Sequence, residues 1–233
     1  EVKIEDGKIG NIKVHSLEEG EAADIRNQVQ NLQKEGVQKI VLDLRGVSAG
    51  PITEAVAVAN LFIKDGNLAQ VIGRENKVLK TYTADSSKFL FDGKLVVLID
   101  LGTAGAGEVI ASAILDRQRG DVVGERSFGA GTEQQLFALR GGDGLLLTTS
   151  KWASPNGKAF LGDDRANSGV KPSVEVKRAE STDEVNPEEF SEQNENEQAE
   201  TPNPAEKNKP APEDVQLKKA LELLSDKAMQ KAA

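Results

Sequence analysis

The chain has 233 residues, of which 38% are apolar, and its formal net charge is −9. This length suits one folded core with additional segments, and the low apolar content predicts that part of the chain stays unfolded. Binding to a phosphate backbone requires clustered Lys and Arg, so the charge argues against a nucleic-acid partner. With no Cys and one His, the chain excludes disulfides and thiolate metal sites and disfavours an imidazole metal site. No apolar run approaches the ~20 residues that a membrane-spanning helix needs.

Strands alternate with helices over the first half of the chain, as expected for parallel strands joined by crossover helices. The predicted strands lie at 9–14, 37–44, 68–73, 78–83, 95–99 and 121–124, and the predicted helices at 22–32, 52–63 and 108–118. Two further strands, at 134–139 and 145–152, form a predicted antiparallel pair around the glycine-rich turn 141–144. The expected fold class is therefore α/β, with a mixed β-sheet flanked by helices.

The composition changes abruptly after Lys177, which we take as the end of a core domain over residues 1–177. From Ala179 to Glu200 there are nine acidic residues and no basic one, and few apolar side chains. Because such a segment cannot offset its ordering entropy by burial, residues 178–212 are predicted to be an acidic, proline-containing disordered linker. Residues 213–233 regain helical spacing and predict an amphipathic helix. We favour docking of this helix on the core over a role as an interaction tail.

Several short motifs occur in an order that is similar to one protease family. They are Leu42-Asp43-Leu44-Arg45-Gly46, the small residues 102–107 before Glu108, Val123-Gly124-Glu125, Phe128-Gly129, Ser154-Pro155-Asn156-Gly157 and Gly169-Val170-Lys171-Pro172. By these motifs, residues from about 7 to 176 resemble the core of the C-terminal processing, or tail-specific, proteases of peptidase family S41. The resemblance implies a ClpP/crotonase-like fold. The PDZ domain that most family members carry near the N-terminus is not visible here.

The family works with a Ser/Lys dyad, and the resemblance assigns both positions in this chain. The family serine lies three residues before a glutamate, here Glu108, so the nucleophile position is Gly105. The family lysine follows 25 residues later in a Phe-Gly-Lys-Gly turn, so the general-base position is Ala130. Neither residue can attack a carbonyl or accept a proton, and the standard mechanism is therefore excluded.

An oxyanion hole and peptide cleft are implied by the same resemblance. The backbone N–H groups of Gly50 and Ala106 are expected to point at an anion there. However, the Asn-Pro-Gly of the family loop is replaced by Val47-Ser48-Ala49. Three separate losses favour natural drift of a noncatalytic homologue over deliberate inactivation.

Three further residues match family site positions, and we expect a structural role for each because the catalytic partners are absent. Glu108 is expected to be a first-turn helix residue favoured by the helix dipole. Asp116 is expected to be a solvated or helix-pairing charge, and Gln134 an ordinary surface residue of a strand. Ser127 stands where the family often has Thr.

The predicted function is that of an inactive S41-like domain that binds unfolded or C-terminal peptide segments of proteins. One alternative is an active serine peptidase with displaced residues, and another is a structural assembly module. The candidate displaced residues are Ser48 and Thr103 as nucleophiles and Lys94, Lys151 and Lys158 as bases. An acyl-coenzyme A enzyme is less favoured, since no basic patch is visible.

No cofactor and no metal are expected, and a homo-oligomer stays open. The sequence begins at Glu1 without Met, so a trimmed or mature form is expected. The family resemblance implies an extracytoplasmic setting, periplasmic or secreted.

Overall fold

A computed structural model describes residues 1–5, 8–178 and 213–225. Its strands are β1 (Val2–Glu5), β2 (Ile9–Lys13), β3 (Lys39–Asp43), β4 (Asn67–Ile72), β5 (Val78–Thr83), β6 (Lys94–Ile99), β7 (Asp121–Gly124), β8 (Thr132–Ala138), β9 (Gly144–Ala153) and β10 (Val174–Glu175). Its α-helices are α1 (Glu21–Lys34), α2 (Ile52–Phe62), α3 (Ala106–Asp116) and α4 (Val215–Leu224). These elements confirm the α/β fold class. The predicted linker lies almost wholly outside the described residues, so the division into domains stays a prediction.

The larger sheet has six strands in the order β1-β2-β3-β6-β7-β10. β1 is antiparallel to β2, and the remaining neighbours are parallel. The central strand β6 is buried on both faces, as is typical of parallel sheets. Its Leu95, Val97 and Ile99 pack in the cluster shared with α1, α2 and α3, whereas Val96 and Leu98 belong to a cluster on the opposite face. The side-chain period of two therefore divides one apolar strand between two helical layers.

A second, antiparallel sheet has the order β5-β4-β9-β8. The sequence predicts one mixed sheet, and the structure differs in that these four strands form a sheet of their own. Leu68, Ala69 and Val71 of β4 join the core cluster that includes α2 and α3, so the small sheet packs on those helices. Strand pattern alone does not specify which sheet a strand joins, because both sheets bury one face against the same helices.

The C-terminal helix α4 covers the face of the larger sheet that α1, α2 and α3 leave open. Ala220 and Leu224 are buried in one cluster with sheet residues Val41, Leu98 and Val123. Leu217, Leu221 and Leu223 pack around the same cluster. Without α4 this face would expose a continuous apolar surface, so the helix belongs to the fold.

Arg45, two residues after the end of β3, joins α4 to the core. Its guanidinium donates to both carboxylate oxygens of Asp214 at 2.8 Å and to Asp43 at 2.6 and 2.8 Å. Asp214 is also the N-cap of α4, since its side chain accepts from Leu217 N–H at 3.0 Å. The Arg45 side chain is only 11% exposed. Forked, charge-assisted bonds of this kind are among the stronger polar contacts in proteins.

The described residues on either side of 179–212 lie at the same edge of the larger sheet. Arg178 Nη2 is 4.0 Å from Asp100 Oδ2, and Asp100 Oδ1 accepts from Gly46 N–H at 2.9 Å. Asp214, on the far side of the gap, contacts the neighbouring Arg45. Within the described ranges, no helix is long and apolar enough to cross a membrane, and no cluster of His, Asp and Glu suits a metal ion.

We expect Asp214→Ala to destabilise the fold by about 1–2 kcal/mol at pH 7, because it removes an N-cap and two charge-assisted hydrogen bonds at a partly exposed site. Partial burial acts to raise the pKa of Asp214, but hydrogen bonds from Arg45 and Leu217 outweigh it and hold the pKa below its ordinary value. The stabilisation is therefore present at pH 7 and disappears as the pH falls below about 4.

Urea unfolding followed by fluorescence and circular dichroism measures this loss. Glu213→Ala is the matched control, since its carboxylate makes only an exposed ion pair with Lys218 and its removal should change the free energy of unfolding by less than about 0.5 kcal/mol. Equal losses for the two variants would contradict the role given to Asp214.

Candidate functional site

The candidate site lies where the carboxyl ends of β3 and β6 meet at one edge of the sheet. Hydrogen bonds, among them the following two, join the loop after β3 to the turn after β6. Ala104 N–H donates to Val47 O at 2.8 Å, and Gly46 N–H donates to the Asp100 carboxylate at 2.9 Å. These bonds fix the two connections side by side, as is usual for ligand sites at the carboxyl ends of parallel strands.

Gly105 stands between β6 and α3 with φ 49° and ψ −107°. This is a sparsely populated region that strains residues with a Cβ, and hydrolases use a strained strand-to-helix turn to expose a nucleophile. A Cβ built at Gly105 would meet no atom closer than Ser48 O at 3.6 Å and Trp152 Cζ3 at 3.7 Å. The turn therefore keeps both the backbone shape and the space for a nucleophile, without the nucleophile.

The carboxylate of Glu108, fully buried in the first turn of α3, contacts Gly105 and Ala130, the two positions that the resemblance assigns to the dyad. One oxygen accepts from Gly105 N–H and from Ala130 N–H, each at 2.9 Å. The other accepts from the Ser127 hydroxyl at 2.5 Å and from Gly129 N–H at 2.7 Å. The structure thus brings Gly105 and Ala130 together, within two hydrogen-bond lengths of each other through one oxygen.

The electrostatics of Glu108 combine opposing effects. Burial raises the pKa of its carboxyl, and the hydroxyl and three amide donors oppose that rise. The Ser127 hydroxyl also accepts from Val170 N–H at 2.7 Å and so extends the network to the segment before β10. Glu108 therefore does more than the sequence predicts for a first-turn residue. Its four donors belong to two separate segments, the turn before α3 and residues 127–130, and the carboxylate joins them.

Asp116 and Gln134 lie apart from this network. Asp116, at the end of α3, accepts from the Ser154 hydroxyl at 2.7 Å and from Asn156 N–H at 3.0 Å. The expectation of a solvated or helix-pairing charge is wrong, since the carboxylate anchors the turn after β9. Gln134 is exposed on β8.

Trp152 is a neighbour of the site that the sequence analysis did not single out. Its ring faces Gly105, and a Cβ built at Gly131 would lie 3.2 Å from Trp152 Cβ. Its indole N–H donates to Glu133 at 3.2 Å. The only sequence signal was its place before the 154–157 motif, which says nothing about packing across the sheet. As the sole Trp of the chain, it is a natural fluorescent reporter of the surroundings of Gly105.

Gly50 and Ala106 retain free backbone donors. Gly50 has φ 128°, and a Cβ there would lie 2.3 Å from Leu17 O, so only glycine fits. Neither the Gly50 nor the Ala106 N–H donates to another residue in the part of the chain that is described. Ala106 is buried and Gly50 is partly buried, so their role as donors to an anion stays a prediction.

Among the described residues, no hydrogen bond joins Ser48 or Thr103 to Lys151 or Lys158. The Thr103 hydroxyl is buried and bonded within its turn and to the loop after β3. Lys94 opens β6, at the end of the strand opposite the turn. The Lys151 ammonium donates to Leu161 O at 3.2 Å, and Ser48 has no side-chain hydrogen bond to a described residue.

Comparison with known proteins gives consistent matches. The family model for Peptidase family S41 matches residues 8–176. A probable CtpA-like serine protease of Staphylococcus aureus strain N315 is 32% identical over 172 residues, which cover 73% of this chain and 34% of the relative. A carboxyl-terminal-processing protease of a Picosynechococcus species is 32% identical over 148 residues, covering 64% of this chain and 35% of the relative.

Solved structures agree. The photosystem II D1 C-terminal processing protease aligns with a TM-score of 0.66 at 30% identity, covering 72% of this chain and 42% of that chain. A putative S41 protease from Bacteroides fragilis shares the fold, with a TM-score of 0.57 at 18% identity over 76% of this chain and 50% of that chain. The chain spans about a third of the length of the curated relatives.

We expect Glu108→Gln to destabilise the fold by about 1–3 kcal/mol, because its NH₂ group replaces an acceptor oxygen with a donor. In one orientation this NH₂ group faces the N–H of Gly129, and in the other it faces the N–H groups of Gly105 and Ala130. Glu108→Ala should cost more, since it leaves all four donors without their acceptor. Chemical denaturation at neutral pH measures both losses.

The matched control is Glu75→Gln, whose side chain is 85% exposed. It should change the free energy of unfolding by less than about 0.5 kcal/mol. If Glu108→Gln were as stable as this control, the carboxylate would not be the organising group of the site.

Proposed function

The chain belongs to peptidase family S41, and we propose that it is a catalytically inactive member that binds extended segments of other proteins. The observation that carries the proposal is the Glu108 network. It holds Gly105 and Ala130 in place, although neither has a side chain capable of acid–base or nucleophilic chemistry. A scaffold whose geometry is retained without its reactive groups suits binding better than turnover.

The proposed ligand position is the free edge of β8. This strand begins two residues after Ala130 and is the outer strand of the small sheet, so its outward N–H and C=O groups have no neighbouring strand within the described structure. An extended peptide can add to such an edge through main-chain hydrogen bonds. The free N–H groups of Gly50 and Ala106 would receive a peptide carbonyl at the same cleft.

The relatives support a proposal for the ligand. Two of them are named as C-terminal processing proteases, which act on proteins. We infer that the ligands of this chain are likewise unfolded or C-terminal segments of proteins. The extracytoplasmic setting implied by the family and a homo-oligomeric state are parts of this proposal.

Peptide titration tests the proposal. Labelled extended peptides should bind with affinities in about the micromolar range and should change the Trp152 emission, because its ring borders Gly105. Ala130→Phe should weaken binding about tenfold or more by filling the cleft. Ala166→Phe, the same substitution at an exposed loop position, should leave the affinity unchanged. Absence of binding to every unfolded or C-terminal peptide tested would refute the proposal.

Restoration of the dyad tests whether the loss of chemistry is confined to two side chains. Gly105→Ser combined with Ala130→Lys should produce slow cleavage of a denatured protein, whereas either single variant and the natural chain should leave the substrate intact. Gly105→Ser should also lower the stability by about 1–3 kcal/mol, because φ 49° strains a residue with a Cβ. A folded double variant without cleavage would place a further defect in the loop 46–50.

A further inference from the structure

The β8–β9 hairpin carries the largest set of exposed apolar side chains in the described structure. We define the arm as residues 134–148, the part of this hairpin that extends beyond the small sheet. β9 pairs with β4 only through Lys151, Trp152 and Ala153, so the arm has no third strand beside it. A two-stranded ribbon of this kind is only marginally stable in water by itself.

Apolar side chains occupy both faces of the arm. The register pairs Leu136 with Leu146 on one face and Phe137 with Leu145 on the other. The exposed apolar residues of the arm are Leu136, Phe137, Leu139, Leu145, Leu146 and Leu147, with exposed fractions from 39% to 67%. Contiguous apolar surface of this kind on a soluble protein marks an interaction site.

The sequence outside the described ranges offers little apolar surface for covering the arm. The residues outside the described ranges contribute only three large apolar side chains, Val185, Phe190 and Met229, dispersed among charged and polar residues. Six exposed side chains on two faces need more apolar surface than these supply. An apolar segment of another molecule would supply this surface.

Charge and backbone indicate what kind of segment fits. Between Glu133 and Arg140, and again between Asp143 and Lys151, neither strand carries a charged residue. A charged ligand would find no partner along the arm, and an acidic one would also be opposed by the net charge of −9. The outer edge of β8 accepts a strand, and added side chains alternate between the two faces.

We propose that the arm binds an extended, uncharged segment of a partner protein whose side chains are apolar on both faces, as a continuation of the strand added at the cleft. This inference rests on the proposed function and deepens it by naming the ligand class. One set of ligand side chains packs beside Leu136 and Leu146, and the alternate set packs beside Phe137 and Leu145. The cleft at Gly105 and the arm together form one site along β8.

Four labelled peptides test this proposal with the full 233-residue chain. Three of the peptides have about 14 residues, which at ~3.3 Å per residue is long enough to span both cleft and arm. They differ at a shared set of positions: the first has Val and Ile there, the second Ser and Gln, and the third Glu. A fourth, apolar peptide of about six residues reaches only the cleft. Anisotropy gives affinity, and Trp152 emission reports occupancy of the cleft.

Leu136→Thr with Leu146→Thr removes apolar surface from one face of the arm and keeps strand propensity. Phe137→Thr with Leu145→Thr does the same on the other face. Each variant should lose about tenfold or more affinity for the long apolar peptide and none for the short one. Leu79→Thr is the matched control, since Leu79 is 56% exposed on the opposite edge of the same sheet and should change neither affinity.

Several results would overturn the inference. The arm is not part of the site if the short peptide binds and the long apolar peptide binds no more tightly. The same follows if both arm variants, shown to be folded by circular dichroism, bind the long apolar peptide normally. In either case the proposed function survives. If no peptide binds, both proposals fail. If light scattering shows a dimer of the natural chain that Leu136→Thr with Leu146→Thr dissociates, the arm is covered by a second copy instead.

Discussion

The carboxylate of Glu108 is the contact on which the geometry of the site depends. A buried carboxylate is costly unless its lone pairs are satisfied, and here a hydroxyl and three backbone amides satisfy them. The donors come from the turn before α3 and from the glycine-rich turn after β7. The buried carboxylate needs these donors, and the donors hold the two turns in place. The shape of the site is therefore coupled to the stability of the fold. The network therefore keeps the dyad positions in place whether or not a dyad occupies them.

The site is also joined to the helix on the opposite face of the sheet. Arg45 bonds Asp214 at the start of α4, and Gly46, the next residue, bonds Asp100 at the start of the small-residue turn. The loop after β3 thus lies between the C-terminal helix and the cleft. The helix and the turn, which are separate in the sheet topology, are therefore joined through two consecutive residues, Arg45 and Gly46.

Local pattern predicted much of the fold. β5 and β7 lie where the sequence places them, since alternation and apolar runs depend on neighbouring residues only. The order of motifs led to the family, and the family match confirms it. α3 begins two residues earlier than predicted, because Gly105 is its N-cap and the Glu108 carboxylate bonds back to that amide.

Contacts between distant residues were beyond the sequence. The partners of Glu108 lie up to 22 residues away, and those of Asp116 lie 38 and 40 residues away. A spacing rule identifies which residue types recur, but it does not show which carboxylate is buried by a remote turn. The same reason explains why one predicted sheet became two, and why Trp152 was not linked to Gly105. The motifs predict the positions of the site residues along the chain, whereas their contacts depend on tertiary packing.

The chain leaves the described structure at Arg178 and re-enters it at Glu213, beside the same edge of the larger sheet. A connection that starts and ends at one place can change its length without moving the elements that it joins. In general, the closure free energy of a loop grows slowly with its length, by about 0.6 kcal/mol for each doubling of the number of residues. The position of α4 thus places almost no limit on how many residues lie between 178 and 213. The number of residues in that interval is therefore open to selection for purposes unrelated to the fold.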